Sequence, residues 1–258
     1  MEYPIDDEAL QIAVSESGGP RLVVSFAGVG FGHAYEQKAE FGRTLGEGTG
    51  PANDVCYVMD KQRSWYNLTA PRIASWLERY SLGREVCTLG NSMGGFGALL
   101  FGRRLPDCRA AIAFAPQFSV RPSIVPGEKR WRTFIGRIAD WTVDTCVLPA
   151  ANGAASFLFF GADDRSDWRH ADLFRATLDG NAAIFTIGRC RHDVAAFLRE
   201  KGVLTPLIDA IVNGGAEAEE IAAFLNAHGV SHRLWRPGDP VVPGWIEKAH
   251  RQLASISR

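Results

Sequence analysis

No run in this sequence approaches the ~20 consecutive apolar residues that span a bilayer. The first residues, Met1 to Asp7, are acidic and lack the basic region and apolar stretch of a secretory signal. Cysteine is scarce: five residues, at 56, 87, 108, 146 and 190, with no C-x-x-C spacing among them. An odd, scattered set, several within apolar runs, argues against a disulfide framework and a structural zinc site and points to a reducing compartment. Basic charge is not in surplus either. Lys and Arg number 28 against 29 Asp and Glu, a net charge of -1, so the footprint of a nucleic-acid binder is missing. No internal repeat is evident. These absences leave a soluble cytoplasmic protein as the expectation, with a small-molecule partner, no nucleic acid and no membrane. Nothing indicates a metal or organic cofactor, and the oligomeric state stays open, a homodimer included.

What is present is core-forming material. The chain has 258 residues, 46% of them apolar, enough for one large α/β domain. Apolar, β-favouring runs alternate with helix-like segments. The runs are Ala9 to Val14 (an expected edge strand), Arg21 to Ala27, Asp54 to Met59, Glu85 to Leu89, Arg109 to Ala115, Ser156 to Phe160 and Ala182 to Ile187. Helices are expected at His33 to Leu45, Pro71 to Tyr80, Gly94 to Phe101, Asp167 to Leu178 and Val194 to Lys201. Such alternation predicts a mostly parallel sheet covered on both faces. Residues 117–154 break the rhythm with prolines, basic residues and aromatics, and read as an inserted cap, partly helical from Gly127 to Trp141. Residues 203–258 read as a helical appendage to the single domain.

The most informative stretch is Gly90-Asn91-Ser92-Met93-Gly94, a G-x-S-x-G between a strand and a helix. On a sharp strand-to-helix turn this pattern is a nucleophile elbow: the serine is strained, and its neighbours two positions away must be small. The turn sets the hydroxyl at a helix N-terminus, where free N–H groups favour developing negative charge. A second glycine-rich loop, Ala27-Gly28-Val29-Gly30-Phe31-Gly32, follows an earlier strand. Its G-x-G-x-G spacing differs from the G-x-G-x-x-G of dinucleotide loops, and the next strand ends too late, at Asp60.

A serine hydroxyl needs a base, and the base an orienting partner. The order Ser…Asp…His, each just past a strand, converges on one edge of a parallel sheet. Ser92 is the expected nucleophile and His192 the base. Asp164 is the first choice of acid, followed by Asp163, then Asp167, with Asp60 remote. His170, in a helix, is expected to be exposed. The expected oxyanion hole is the backbone N–H of Met93 with that of Val29, Gly30 being the fallback. Trp65, Tyr66, His33 and Trp131 are expected to contact substrate, packing against the scaffold being the alternative for Trp65 and Tyr66, with Arg130, Arg132 and Trp141 of the cap shaping the pocket.

From Arg21 to Lys201, with Gly90-Asn91-Ser92-Met93-Gly94-Gly95 as its strongest element, the chain resembles the α/β-hydrolase superfamily. It departs from the family pattern in having Ala27-Gly28 for the usual His-Gly of the oxyanion loop and Arg191 for the usual glycine before the histidine. The resemblance implies the α/β-hydrolase fold and a serine esterase acting on a small ester through an acyl-serine. The same triad would serve an acyltransferase, and a silent binding protein of the same fold is the third alternative.

Overall fold

The computed structural model describes residues 1–30, 36–46, 53–147 and 152–239. In chain order the elements are β1 (Glu2–Asp6), β2 (Leu10–Ser15), β3 (Arg21–Phe26), α1 (Gly42–Gly46), β4 (Asp54–Asp60), α2 (Ala70–Tyr80), β5 (Glu85–Asn91), α3 (Met93–Gly102) and β6 (Cys108–Phe114). There follow α4 (Arg132–Ile135), β7 (Ala155–Gly161), α5 (Arg165–Thr177), β8 (Ala182–Ile187), α6 (Val194–Glu200), α7 (Leu204–Val212), α8 (Ala218–Ala227) and β9 (His232–Trp235). The strands form one nine-stranded sheet in the order β1-β2-β4-β3-β5-β6-β7-β8-β9. From β4 to β8 every neighbouring pair is parallel, while β1–β2, β2–β4 and β8–β9 are antiparallel.

The β runs lack a polar face because both sides of the sheet are covered. Successive residues point to opposite sides, so Val24 and Phe26 join the cluster under α2, α3 and α5. Val23, on the other side, joins Leu89, Phe114, Phe159 and Phe185 under α6, α7 and α8. The helix α3 is buried along its whole length, which explains a segment with no polar stripe at all.

Several sequence expectations shift. The stretch from Ala9 is not the edge strand: β1, in the acidic N-terminal segment, pairs outside β2. The helix expected from His33 shrinks to α1, and residues 31–35 lie outside the described set. The segment between β6 and β7 holds the single short helix α4 among its described residues, rather than a helix over 127–141. Turns closed by backbone bonds, such as Val125 N to Arg121 O and Cys146 N to Phe118 O, hold it together with side-chain bonds such as that of Arg121 to Asp144. The appendage is not purely helical, since β9 folds back onto β8 and completes the sheet. Residues 240–258 lie outside the described set. Among the described residues no helix is long and apolar enough to cross a membrane.

The parallel strands place the ends of β3, β4, β5, β6, β7 and β8 on one rim. Chain order reverses between β3 and β5, which are adjacent, so their following loops diverge from a crevice. That is the position at which open α/β sheets bind ligands.

Candidate active site

At the end of β5 the chain turns sharply into α3. Ser92 has φ 56° and ψ −119°, a left-handed strain that L-residues hold only when the surroundings enforce it. The enforcement is steric. A Cβ on Gly90 would lie 2.1 Å from Gly94 O, and one on Gly94 would lie 2.1 Å from Phe26 O. Both glycines are therefore required for the approach of strand, turn and helix. The serine is 6% exposed.

The loops after β7 and β8 are stitched together. Ala162 N donates to Ile187 O at 2.8 Å and Asp163 N to Cys190 O at 2.9 Å. A Cβ on Gly161 would sit 2.0 Å from Arg191 O, so a glycine at the end of β7 admits the chain that carries His192. The imidazole Nε2 then lies 3.1 Å from Ser92 Oγ, and Nδ1 lies 2.9 and 3.0 Å from the two carboxylate oxygens of Asp167. A hydroxyl, an imidazole and a carboxylate stand in a hydrogen-bonded row.

The acid in that row is Asp167, not Asp164. The Asp164 carboxylate accepts from Ser166 N (2.9 Å) and Asp167 N (3.2 Å) and caps α5. A capping side chain is committed to the orphan N–H groups of its own helix. Asp163 is held by its backbone to Cys190, and Asp60 accepts from Gln62 N, Ser64 N, Ser64 Oγ and Tyr66 N in its own loop. Asp167, one turn further and fully buried, is the carboxylate left to face the imidazole.

Behind Asp167 runs a polar chain that the sequence reading did not assemble. Arg130 Nη1 donates to Asp167 Oδ1 at 2.8 Å and lies 3.2 Å from His192 Nδ1. The same guanidinium is gripped by Glu128 through Nε and Nη2. Glu128 Oε2 lies 3.2 Å from His170 Nε2. Phe118 N donates to His170 Nδ1 at 3.1 Å, so the proton of His170 resides on Nε2 and is donated to Glu128. His170 is thus fully buried, not exposed, and burial, the largest influence on it, depresses its pKa. Burial alone would raise Asp167; the hydrogen bond and charge of His192, then Arg130, outweigh it and hold the carboxyl below its ordinary range.

The sequence matches no protein-family model and no curated protein. Among solved structures, the capsule O-acetyltransferase of Neisseria meningitidis serogroup A is similar, with a TM-score of 0.55 at 15% identity over 78% of this chain and 92% of that one. The esterase EaEST from Exiguobacterium antarcticum has a TM-score of 0.52 at 14% identity, over 80% of this chain and 97% of that one. This chain has the α/β-hydrolase fold.

Within that fold the remaining expected residues fall as follows. Met93 opens α3, and the first helical bond there runs from Phe96 N to Ser92 O, so the earlier N–H groups have no acceptor within the helix. Val29 lies in the loop after β3, whose Gly28 comes within 3.0 Å, by its missing Cβ, of Asn91 O. The start of that loop, Ala27 and Gly28, is held by three side chains. Glu40 Oε1 accepts from Gly28 N at 2.9 Å, Gln37 Nε2 donates to Gly28 O at 2.8 Å, and Tyr66 Oη donates to Ala27 O at 3.3 Å. The Glu40 carboxyl is enclosed although the residue keeps some exposed surface, and burial pushes its pKa up to about 7 against the opposing Gly28 hydrogen bond.

Tyr66 is fully buried among Phe26, Phe96 and Phe101 and supports the loop through its hydroxyl. Trp65 is likewise fully buried, its Nε1 donating to Gln117 Oε1 at 3.0 Å. Trp131 does reach the site: its ring centroid lies 5.4 Å from that of His192 and 5.7 Å from that of Trp65, with the Arg130 guanidinium over it at 4.7 Å. His33 lies outside the described residues. Gln117, absent from the sequence reading as a site residue, donates through Nε2 to Ser92 Oγ at 3.2 Å. Its position just past β6, a strand on the same rim, was the available signal. A cleft of about 390 Å³ lined by Arg109, Phe157, Ile211 and Arg236 opens at the opposite rim, away from Ser92.

Proposed function

We propose that the protein is a serine hydrolase that cleaves a small carboxylic ester through an acyl-Ser92 intermediate. The observation that carries this reading is the row from Ser92 Oγ through His192 to Asp167, at 3.1 and 2.9 Å. His192 Nε2 takes the hydroxyl proton as Ser92 attacks the ester carbonyl. Asp167 keeps the Nδ1–H tautomer and stabilises the imidazolium. The oxyanion is received by the backbone N–H of Met93 and that of Val29, a pair typically worth ~3 kcal/mol of barrier per donor. His192 then passes its proton to the leaving alcohol, and in the second half-reaction takes one from water, whose oxygen attacks the acyl carbon and releases Ser92.

The test is a p-nitrophenyl ester series of rising acyl length together with fluorophosphonate labelling. Ser92→Ala is expected to lose the label and at least about 1,000-fold in kcat; parental hydrolysis in that variant ends the acyl-serine reading. Transfer of the acyl group to an alcohol or amine is the second reading, supported by the likeness in fold to an O-acetyltransferase. Product partition with competing acceptors separates the two, and a folded protein whose Ser92 stays unlabelled would be a binding module.

A further inference from the structure

Gln117 is fully buried, and both ends of its amide have partners of defined polarity. Oε1 accepts from the indole N–H of Trp65 at 3.0 Å, while Nε2 donates to Ala115 O and to Ser92 Oγ, each at 3.2 Å. An indole N–H can only donate and a backbone carbonyl can only accept. Rotating the amide by half a turn would set donor against donor and acceptor against acceptor. Trp65 therefore determines which end of Gln117 faces the nucleophile. Ser92 Oγ has one proton and two lone pairs: the proton points to His192 Nε2, and the Gln117 N–H takes a lone pair.

We infer that Gln117 is a catalytic residue of the acyl-serine cycle and acts chiefly in deacylation, with Trp65 as the positioning residue that aims it. The inference rests on the function proposed above. In the acyl-enzyme Oγ is an ester oxygen, a weak acceptor, and the Gln117 bond contributes little. In deacylation water adds to the acyl carbon and gives its proton to His192. The tetrahedral intermediate then collapses: the C–Oγ bond breaks, its electron pair stays on Oγ, and Oγ takes the proton from the imidazolium. Gln117 transfers no proton; its N–H strengthens its bond to Oγ as charge gathers there, which is stabilisation specific to the transition state. In acylation the same donor also lowers the nucleophilicity of Oγ, so its two effects there offset.

Losing a hydrogen bond to a charged oxygen should slow deacylation by about 10- to 100-fold. In Gln117→Leu and in the isosteric Gln117→Glu, which turns an acceptor toward Oγ, p-nitrophenyl acetate should give a burst of nitrophenol followed by slow turnover. Acetylated Ser92 should accumulate in intact-mass spectra. kcat and KM should fall together and leave kcat/KM nearly unchanged, which a loosened fold would not produce. Trp65→Phe keeps the ring but removes the N–H that fixes the amide, and should show the same signature more weakly; combined with Gln117→Leu it should add nothing further. Parental deacylation in both Gln117 variants, with Ser92 still labelled by fluorophosphonate, overturns the role of Gln117 alone. Fully additive losses in the double variant overturn the positioning role of Trp65. A parental protein that takes no label at Ser92 overturns the acyl-serine cycle, and this inference falls with it.

Discussion

The turn between β5 and α3 and the segment between β6 and β7 reach the same serine by opposite physical means. The turn does so with backbone. Its glycines remove every Cβ that would obstruct the approach, and the serine's strained φ is imposed by packing on all sides. The segment after β6 does so with long polar side chains. Gln117, Glu128 and Arg130 extend from chain that has little regular structure, and each is fixed by hydrogen bonds to another side chain. Position in the first region is thus a matter of excluded volume, and in the second a matter of complementary charge and donor–acceptor polarity. Substitutions should therefore fail in different ways, abruptly in the first and by degrees in the second.

The largest expected effect tests the steric half. Gly94→Ala sets a methyl group against Phe26 O, a backbone atom of a central strand, and should cost more than about 4 kcal/mol or abolish folding. A denaturant melt within about 1 kcal/mol of the parent would show that the turn is more pliable than its geometry implies. Next comes the polar half. Asp167→Asn should retain the fold and lose about 1,000- to 10,000-fold in kcat, since it removes the carboxylate that sets the imidazole tautomer. Its counterpart Asp164→Ala, deleting only the cap of α5, should cost about 1 kcal/mol of stability and leave kcat near parental. Reversal of those two outcomes would restore Asp164 as the acid.

A pH-dependent effect, smaller than that of Gly94→Ala, concerns Glu40, a side chain that holds the turn's partner loop. Its folded pKa of about 7 exceeds the ordinary carboxyl value. The sign follows: its contribution to stability is complete below about pH 4, and is lost progressively as pH rises to about 7. Glu40→Gln keeps an acceptor for Gly28 N and does not ionise. It should match the parent near pH 4 and exceed it above pH 7, by up to about 3 kcal/mol. Melts at the two pH values check this, and equal parental and variant stability at pH 8 would contradict it.

The same contrast explains what could be read from sequence. Backbone-determined features are local, so the glycines flanking Ser92 and the strand preceding them identified the turn, and His192 followed from its place after β8. Asp164 was expected where Asp167, one helical turn on, faces the imidazole, because both are compatible with a helix start. Only the cap bonds to Ser166 N and Asp167 N show that Asp164 is already engaged. Trp65 and Tyr66, adjacent in sequence, were given one role, yet the first aims an amide and the second supports a core; nothing local separates them. Gln117 pairs with residues 25 and 52 positions away, and a partnership of that kind has no short-range pattern. His170 was expected at the surface because its partners, Glu128 and Phe118, arrive from an irregular segment.

The antiparallel strands at the two ends of the sheet have a consequence for how the molecule behaves in a crowded solution. An exposed strand edge is a template for another chain, and charged side chains along it discourage such pairing. One terminal strand, β1, carries Glu2 and Asp6, and the other, β9, carries His232 and Arg233. The apolar parallel strands are enclosed between them. Among the described residues these apolar strands therefore present no free edge on which another chain could template.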